Sequence, residues 1–150
     1  MTPPTRDPSP AGDDQALAKR LDPLFYPRGI VVTGVSSHPG KFGTAAFHNL
    51  IRFGFEGETF PINREGAEVL GRPTLRSIDE VPDGAADLVF VCTPPSVNAE
   101  LLRACAAKGV RAAFFAAAGY GEAGEEGRTA AREVVALADA LGMVLAGPNG

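Results

Sequence analysis

Short apolar runs rich in β-branched and aromatic residues recur along the chain, separated by stretches with helical spacing. Gly29-Ile30-Val31-Val32-Thr33-Gly34-Val35 is bounded by glycines and reads as a strand buried on both faces. Thr44 to Phe53 places Phe47, Leu50 and Ile51 on one helical face, with Gly54 as the stop. Glu58 to Ile62 reads as a second strand, Val69-Leu70-Gly71 as the end of a short helical turn, and Thr74-Leu75 as a brief third strand. Ser77 is placed to cap a turn over Ile78 to Val81, with Glu80 three residues on as in a capping box. Asp87 to Thr93 is a further buried strand, after which Pro94-Pro95-Ser96 opens a helix with Val97, Leu101, Ala104 and Cys105 as its expected buried face. Val110 to Ala116 follows as a strand. A glycine-rich loop then leads to a helix carrying Val134, Leu137, Ala138 and Leu141, ended by Gly142, and Met143 to Ala146 is a last short strand. Ahead of these lies a helical segment, Gln15 to Leu21, that the prolines of Asp22 to Pro27 should stop. Alternating strands and helices predict the α/β class, with a Rossmann-like, doubly wound, mostly parallel sheet.

A chain of 150 residues, 45% hydrophobic and 21% charged, has the size and balance of one globular domain. No apolar run approaches the roughly 20 residues of a membrane-spanning helix. Met1 to Asp14 lacks the basic start and apolar centre of a secretory signal. The expectation is a soluble, cytoplasmic protein with a disordered or partly helical leader over residues 1–20 and a folded domain over 21–150. A net charge of −4 argues against broad nucleic-acid binding. Its distribution is uneven. Between Phe25 and Arg76 six basic residues (Arg28, Lys41, Arg52, Arg64, Arg72, Arg76) face four Glu, whereas from Ser77 to Gly150 five basic face ten acidic residues. An anionic ligand is expected to find its favourable field in the first half. Cys92 and Cys105 sit in apolar settings and read as buried, unreactive thiols. Two Cys and two scattered His do not make up a metal site. His48 is expected to have a structural role beside the apolar face of its helix.

Ligands of doubly wound sheets bind beyond the carboxyl ends of the strands. Five loops leave those ends: Gly34–Gly43, Asn63–Gly66, Thr93–Ser96, Ala117–Gly124 and Gly147–Gly150. The first connects a strand to a helix, so its backbone N–H groups and the helix dipole can receive phosphate oxygens. Lys41 adds a positive charge, and Ser36 and Ser37 add hydroxyls. It is not a P-loop: five residues separate Gly34 from Gly40, and Phe42 stands where a magnesium-binding hydroxyl is needed. Nor does the chain contain Gly-x-Gly-x-x-Gly. The second strand ends in Pro61-Ile62-Asn63-Arg64 instead of the acidic residue that holds the ribose of NAD. Arg64 suits a phosphate on the ribose, as in NADP or coenzyme A (CoA), or else is a solvated surface charge. His38 could touch phosphate or be incidental to its loop. Glu122, Glu125 and Glu126 suit the start of the last helix.

The ordered series Leu24-Phe25-Tyr26-Pro27-Arg28, Gly34 to Gly43, Asn49-Leu50, Gly54-Phe55, Pro61-Ile62-Asn63, Val69-Leu70-Gly71, Ala118-Gly119-Tyr120 and Gly147-Pro148-Asn149 resembles the CoA-binding domain of ADP-forming acyl-CoA synthetases. More distantly, it is similar to the α subunit of succinyl-CoA synthetase. The resemblance implies CoA as ligand, with Ser36, Ser37, Pro39, Gly40, Lys41 and Gly43 around its phosphates and adenosine. It places Asn63 and Arg64 by the adenosine side. Thr93, Pro94 and Pro95, with Ala118, Gly119 and Tyr120, would flank the pantetheine arm, and Asn149 would lie where the thiol meets a following domain. It further implies partners that this chain does not carry: a synthetase domain bearing a phosphorylated histidine and a grasp-type nucleotide-binding module or subunit. The chain differs from the family pattern at Arg64-Glu65, where Pro-Lys is frequent, at Thr93, and at Gly150. The closing Gly-Pro-Asn-Gly turn suggests a fragment cut before a second, synthetase-like domain. Such a domain alone would catalyse nothing; its parent would be an acyl-CoA ligase or a synthetase-like protein lysine acetyltransferase. The competing readings are an NAD(P)-binding oxidoreductase domain and a stand-alone CoA-binding regulatory protein.

Overall fold

The computed structural model describes residues 11–148. Five parallel strands, β1 (Gly29–Val32), β2 (Glu58–Pro61), β3 (Leu88–Val91), β4 (Ala112–Phe115) and β5 (Val144–Ala146), form one sheet in the order β2-β1-β3-β4-β5. Four helices accompany it: α1 (Ala11–Phe25), α2 (Phe42–Arg52), α3 (Pro95–Ala107) and α4 (Gly124–Ala140). The apolar runs are buried on both faces because side chains alternate along each strand. Val31, Val89, Val91, Ala113 and Phe115 pack with Leu102, Cys105, Val134 and Ala138 of α3 and α4. Ile30, Val32, Leu88 and Ala112 pack instead with Phe47 of α2, joined by Leu24 of α1 and by Leu50. Each fully buried Val or Leu contributes about 1.5–3 kcal/mol, so these two layers are the main cohesion of the fold. Register sets Ile30 beside both Thr59 and Leu88, and chain order reverses between β1 and β3. That reversal opens a crevice at the carboxyl ends of the two strands.

The sheet is fully parallel, and each strand is shorter than its apolar run because the ends peel into loops. α1 is longer than expected. It starts at Ala11, crosses residue 20 and runs through Pro23 to Phe25. A proline this near the end of a helix forfeits only one late hydrogen bond, and Tyr26 N–H donates to the Asp22 carbonyl at 2.7 Å to close the turn. Residues 11–20 of the leader, expected to be disordered or partly helical, are therefore helical, while residues 1–10 lie outside the described range. Val69-Leu70-Gly71 is not helical. Val69 and Arg72 exchange backbone hydrogen bonds across a two-residue turn with φ of 54° at Leu70 and 70° at Gly71. Thr74-Leu75 shrinks to a single parallel bridge between Leu75 and Ile62. Ser77 does cap the 3-10 turn Ile78–Glu80, accepting from Asp79 N–H, whereas Glu80 accepts from Arg76 N–H rather than closing a capping box.

The buried stripe of α3 is rotated by one residue from expectation. Asn98, Leu102 and Cys105 face the core, while Val97, Leu101 and Ala104 are half-buried. Asn98 can be buried because every polar atom is paired: its amide donates to the Thr93 carbonyl at 2.9 Å and to Tyr120 Oη at 2.8 Å, and it accepts from Thr93 Oγ1 at 2.6 Å. His48 is exposed on α2, so the structural role expected of it is not realised. No described helix is long and apolar enough to cross a membrane.

Candidate functional site

A cleft of about 650 Å³ lies at the carboxyl ends of β1, β2 and β3, on the crevice made by the strand-order reversal. The loop after β1 forms one wall. Its conformation is locked internally: Thr44 Oγ1 accepts from Ser36 N–H at 2.9 Å and donates to the Ser36 carbonyl at 2.7 Å, and Ser36 Oγ accepts from His38 N–H at 3.1 Å. Gly43 lets α2 approach the sheet closely, since a Cβ there would overlap the carbonyl oxygens of Thr33 and Gly34. The Lys41 side chain does not cap α2, which leaves the first turn of that helix without a side-chain acceptor from its N-cap. The loop after β2 is held by Asn63, whose amide donates to the Val35 carbonyl at 2.8 Å while its Oδ1 accepts from Glu65 N–H at 2.9 Å. Asn63 thus binds the first two loops together. Thr33 does the same for β1 and β3, accepting from Cys92 N–H at 2.9 Å and donating to the Phe90 carbonyl.

Ser36, Ser37, Lys41, Asn63, Arg64, Thr93 and Pro94 line this cleft. Pro39 and Gly40 are exposed in the same loop without lining it, Gly43 is buried behind it, and Pro95 opens α3 beside it. Ala118, Gly119 and Tyr120 stand apart from the lining. Tyr120 is buried against Phe115 and accepts from Asn98, and Gly119 lies against the Pro95 ring. Asn149 falls outside the described residues. Sequence reading missed Arg76, Ser77 and Asp79, and also the wall built by Val97, Glu100, Leu101 and Ala104. The apolar wall was visible as a helical stripe but was assigned to the core. Leu101 and Ala104 serve both, touching the core cluster and the cleft.

The cationic half of the chain divides between the two edges of the sheet. Arg28 lies at the amino edge, bound to Asp87 through Nε (2.9 Å) and a terminal nitrogen (2.6 Å), and this holds the Asp87 carboxyl below its usual range. Lys41, Arg64 and Arg76 face the cleft, accompanied by Glu65, Asp79 and Glu100. Cys92 lines the cleft half-buried instead of lying in the core, and burial pushes its thiol up to about 11; Cys105, fully buried, is pushed up to about 12. Both stay protonated near neutral pH and are poor nucleophiles. Among the described residues, no group of three or more His, Cys, Asp or Glu is arranged to hold a metal. Glu122 accepts from Gly119 N–H, and that bond lowers its pKa; Glu125 pairs with Arg128 and Arg132.

A family model described as a CoA binding domain matches residues 28–150. The α subunit of acetate–CoA ligase (ADP-forming) I from Pyrococcus furiosus is 37% identical over 133 residues, covering 86% of this chain and 29% of the relative. A trans-feruloyl-CoA synthase from an unknown prokaryotic organism is 32% identical over 138 residues, covering 92% of this chain and 19% of the relative. The crystal structure of PH0766 from Pyrococcus horikoshii superposes with a TM-score of 0.78 at 37% identity, over 86% of this chain and 29% of that one. The chain therefore spans less than a third of the length of these relatives. They do not favour the reading as an NAD(P)-binding oxidoreductase domain.

Proposed function

The chain belongs to the CoA-binding domain family, and on that premise we propose that the cleft between β1 and β3 holds CoA as a substrate of an ADP-forming acyl-CoA synthetase. The observation that carries the proposal is the coincidence of an open cleft with the strand-order reversal, lined by Ser36, Ser37, Lys41, Asn63 and Arg64. In this reading the loop after β1, including Pro39 and Gly40, receives phosphate oxygens on its hydroxyls, the α2 N–H groups and Lys41. Gly43 acts by bringing α2 close to the sheet. Asn63 and Arg64 take the adenosine side, where an arginine rather than a carboxylate suits a ribose that bears phosphate. Thr93, Pro94 and Pro95 guide the pantetheine arm along the half-buried wall of α3. Ala118, Gly119 and Tyr120 shape that wall from behind, Tyr120 through its hydrogen bond with Asn98, and the role proposed for Asn149 is on the thiol side.

Residues 21–150 are proposed as the CoA-binding unit, with α1 bracing it. A phosphohistidine-bearing synthetase domain and a grasp-type nucleotide-binding module, in the same protein or a separate subunit, would complete the reaction in the cytoplasm. This chain contributes binding and orientation. Calorimetric titration of the chain with CoA, NAD and NADP tests the assignment. Saturable binding of CoA alone is expected; binding of NADP with no response to CoA would reverse it.

A further inference from the structure

Arg76 belongs to no motif, yet the fold delivers it to the cleft. Leu75 N–H donates to the Pro61 carbonyl at 2.9 Å, and Asn63 N–H donates to the Leu75 carbonyl at 2.8 Å. This one parallel bridge works as a rudimentary strand beside β2, so residue 76 leaves it in the same direction as residues 63 and 64. Arg76 and Arg64 then line the same cleft from adjoining segments. Gly66 leaves room for the stem of Arg76. A Cβ on that glycine would lie 2.8 Å from Arg76 Nε and 3.2 Å from its Cγ, so the arginine lies across the loop that bears Arg64. The nearby Glu80 carboxylate is turned to the Arg76 backbone, accepting from its N–H at 3.2 Å. Among the described residues, no carboxylate forms an ion pair with Arg64 or Arg76.

The cleft therefore carries cations on two different loops: Lys41 after β1, and two arginines around the end of β2. A diphosphate and a phosphomonoester differ in the same way. The monoester carries about −1.5 to −2 charge near neutral pH and three acceptor oxygens, which two planar guanidinium groups can share. We propose that Arg76 and Arg64 together form a phosphomonoester subsite that grips the 3′-phosphate of CoA and makes the cleft select the phosphorylated ligand. This rests on the CoA reading above and adds Arg76 as a specificity-determining residue.

Calorimetry of the chain with CoA and with 3′-dephospho-CoA, for wild type, R76A and R76Q, tests the proposal. The wild type is expected to prefer CoA by about tenfold or more, in line with a charged hydrogen bond. In both variants that preference should collapse toward unity, with the affinity for 3′-dephospho-CoA changed less than about twofold. Should R76A lose its fold, R76Q, which keeps a stem across Gly66, carries the test. An unaltered preference, or an equal loss for both ligands, would overturn the subsite while leaving CoA binding intact. Failure of the wild type to bind either ligand would overturn the CoA reading and the subsite with it.

Discussion

At the amino edge of the sheet, the backbone N–H and the guanidinium of Arg28 all donate to Asp87, and Gly29 lies so close to Ala85 that a Cβ would overlap its carbonyl oxygen. At the carboxyl edge, Lys41, Arg64 and Arg76 face an open cleft without an ion-pair partner among the described residues. The same residue types thus serve two purposes a few residues apart along the same strands. Where charge is paired and backbone is closely packed, the groups are consumed by folding. Where loops are locked by Thr33, Thr44 and Asn63 but cations are left over, folding has prepared donors for a ligand. Mutations at the two edges should therefore separate stability from binding.

The largest effect is expected at the amino edge. Gly29→Ala forces a methyl group onto the Ala85 carbonyl and should cost about 3 kcal/mol in urea unfolding, as overpacking does. Any protein still folded should bind CoA as before. Asn98→Ala probes the junction of the cleft with its supporting layer. It leaves the Thr93 carbonyl and Tyr120 Oη without their buried donor, at a cost of about 2 kcal/mol. A melting temperature equal to that of the wild type would remove Asn98 from the account. Lys41→Ala should invert the pattern, with stability unchanged within about 0.5 kcal/mol and CoA affinity reduced about tenfold by calorimetry. The smallest effect belongs to Asp87→Ala, about 1 kcal/mol at neutral pH, because Arg28 is 76% exposed. Its sign with pH is fixed. The folded-state pKa of Asp87 is depressed, so its contribution is present above the ordinary carboxylate pKa and lost as pH falls through the folded value. Wild type and Asp87→Ala should converge in acid-unfolding curves at the lowest pH.

The strands and the loops at their ends were legible because alternation, glycine boundaries and β-branched runs are local signals. Three features were not. The α3 stripe was misplaced by one residue because an asparagine is ordinarily read as exposed, and only the pairing with Thr93 and Tyr120 makes Asn98 a core residue. Arg76 was hidden because a one-residue bridge to Ile62 has no periodicity to detect. The place of the loop after β4 beside the ligand came from the family resemblance alone, and its Tyr120 is turned into the core, which depends on contacts distant in sequence. The first loop was read correctly as a strand–loop–helix connection, and the side chains that stiffen it, Ser36 and Thr44, lie within it or beside it.

The most direct test of the central claim is to follow backbone amide shifts of the isotopically labelled chain during titration with CoA. Saturable shifts are predicted at Ser36, Ser37, Lys41, Asn63, Arg64 and Thr93, with Arg28 and Asp87 at the opposite edge unmoved. Shifts centred instead on the second cavity, between Leu17 and Leu21 of α1 and Val135 of α4, would contradict the assignment of the cleft.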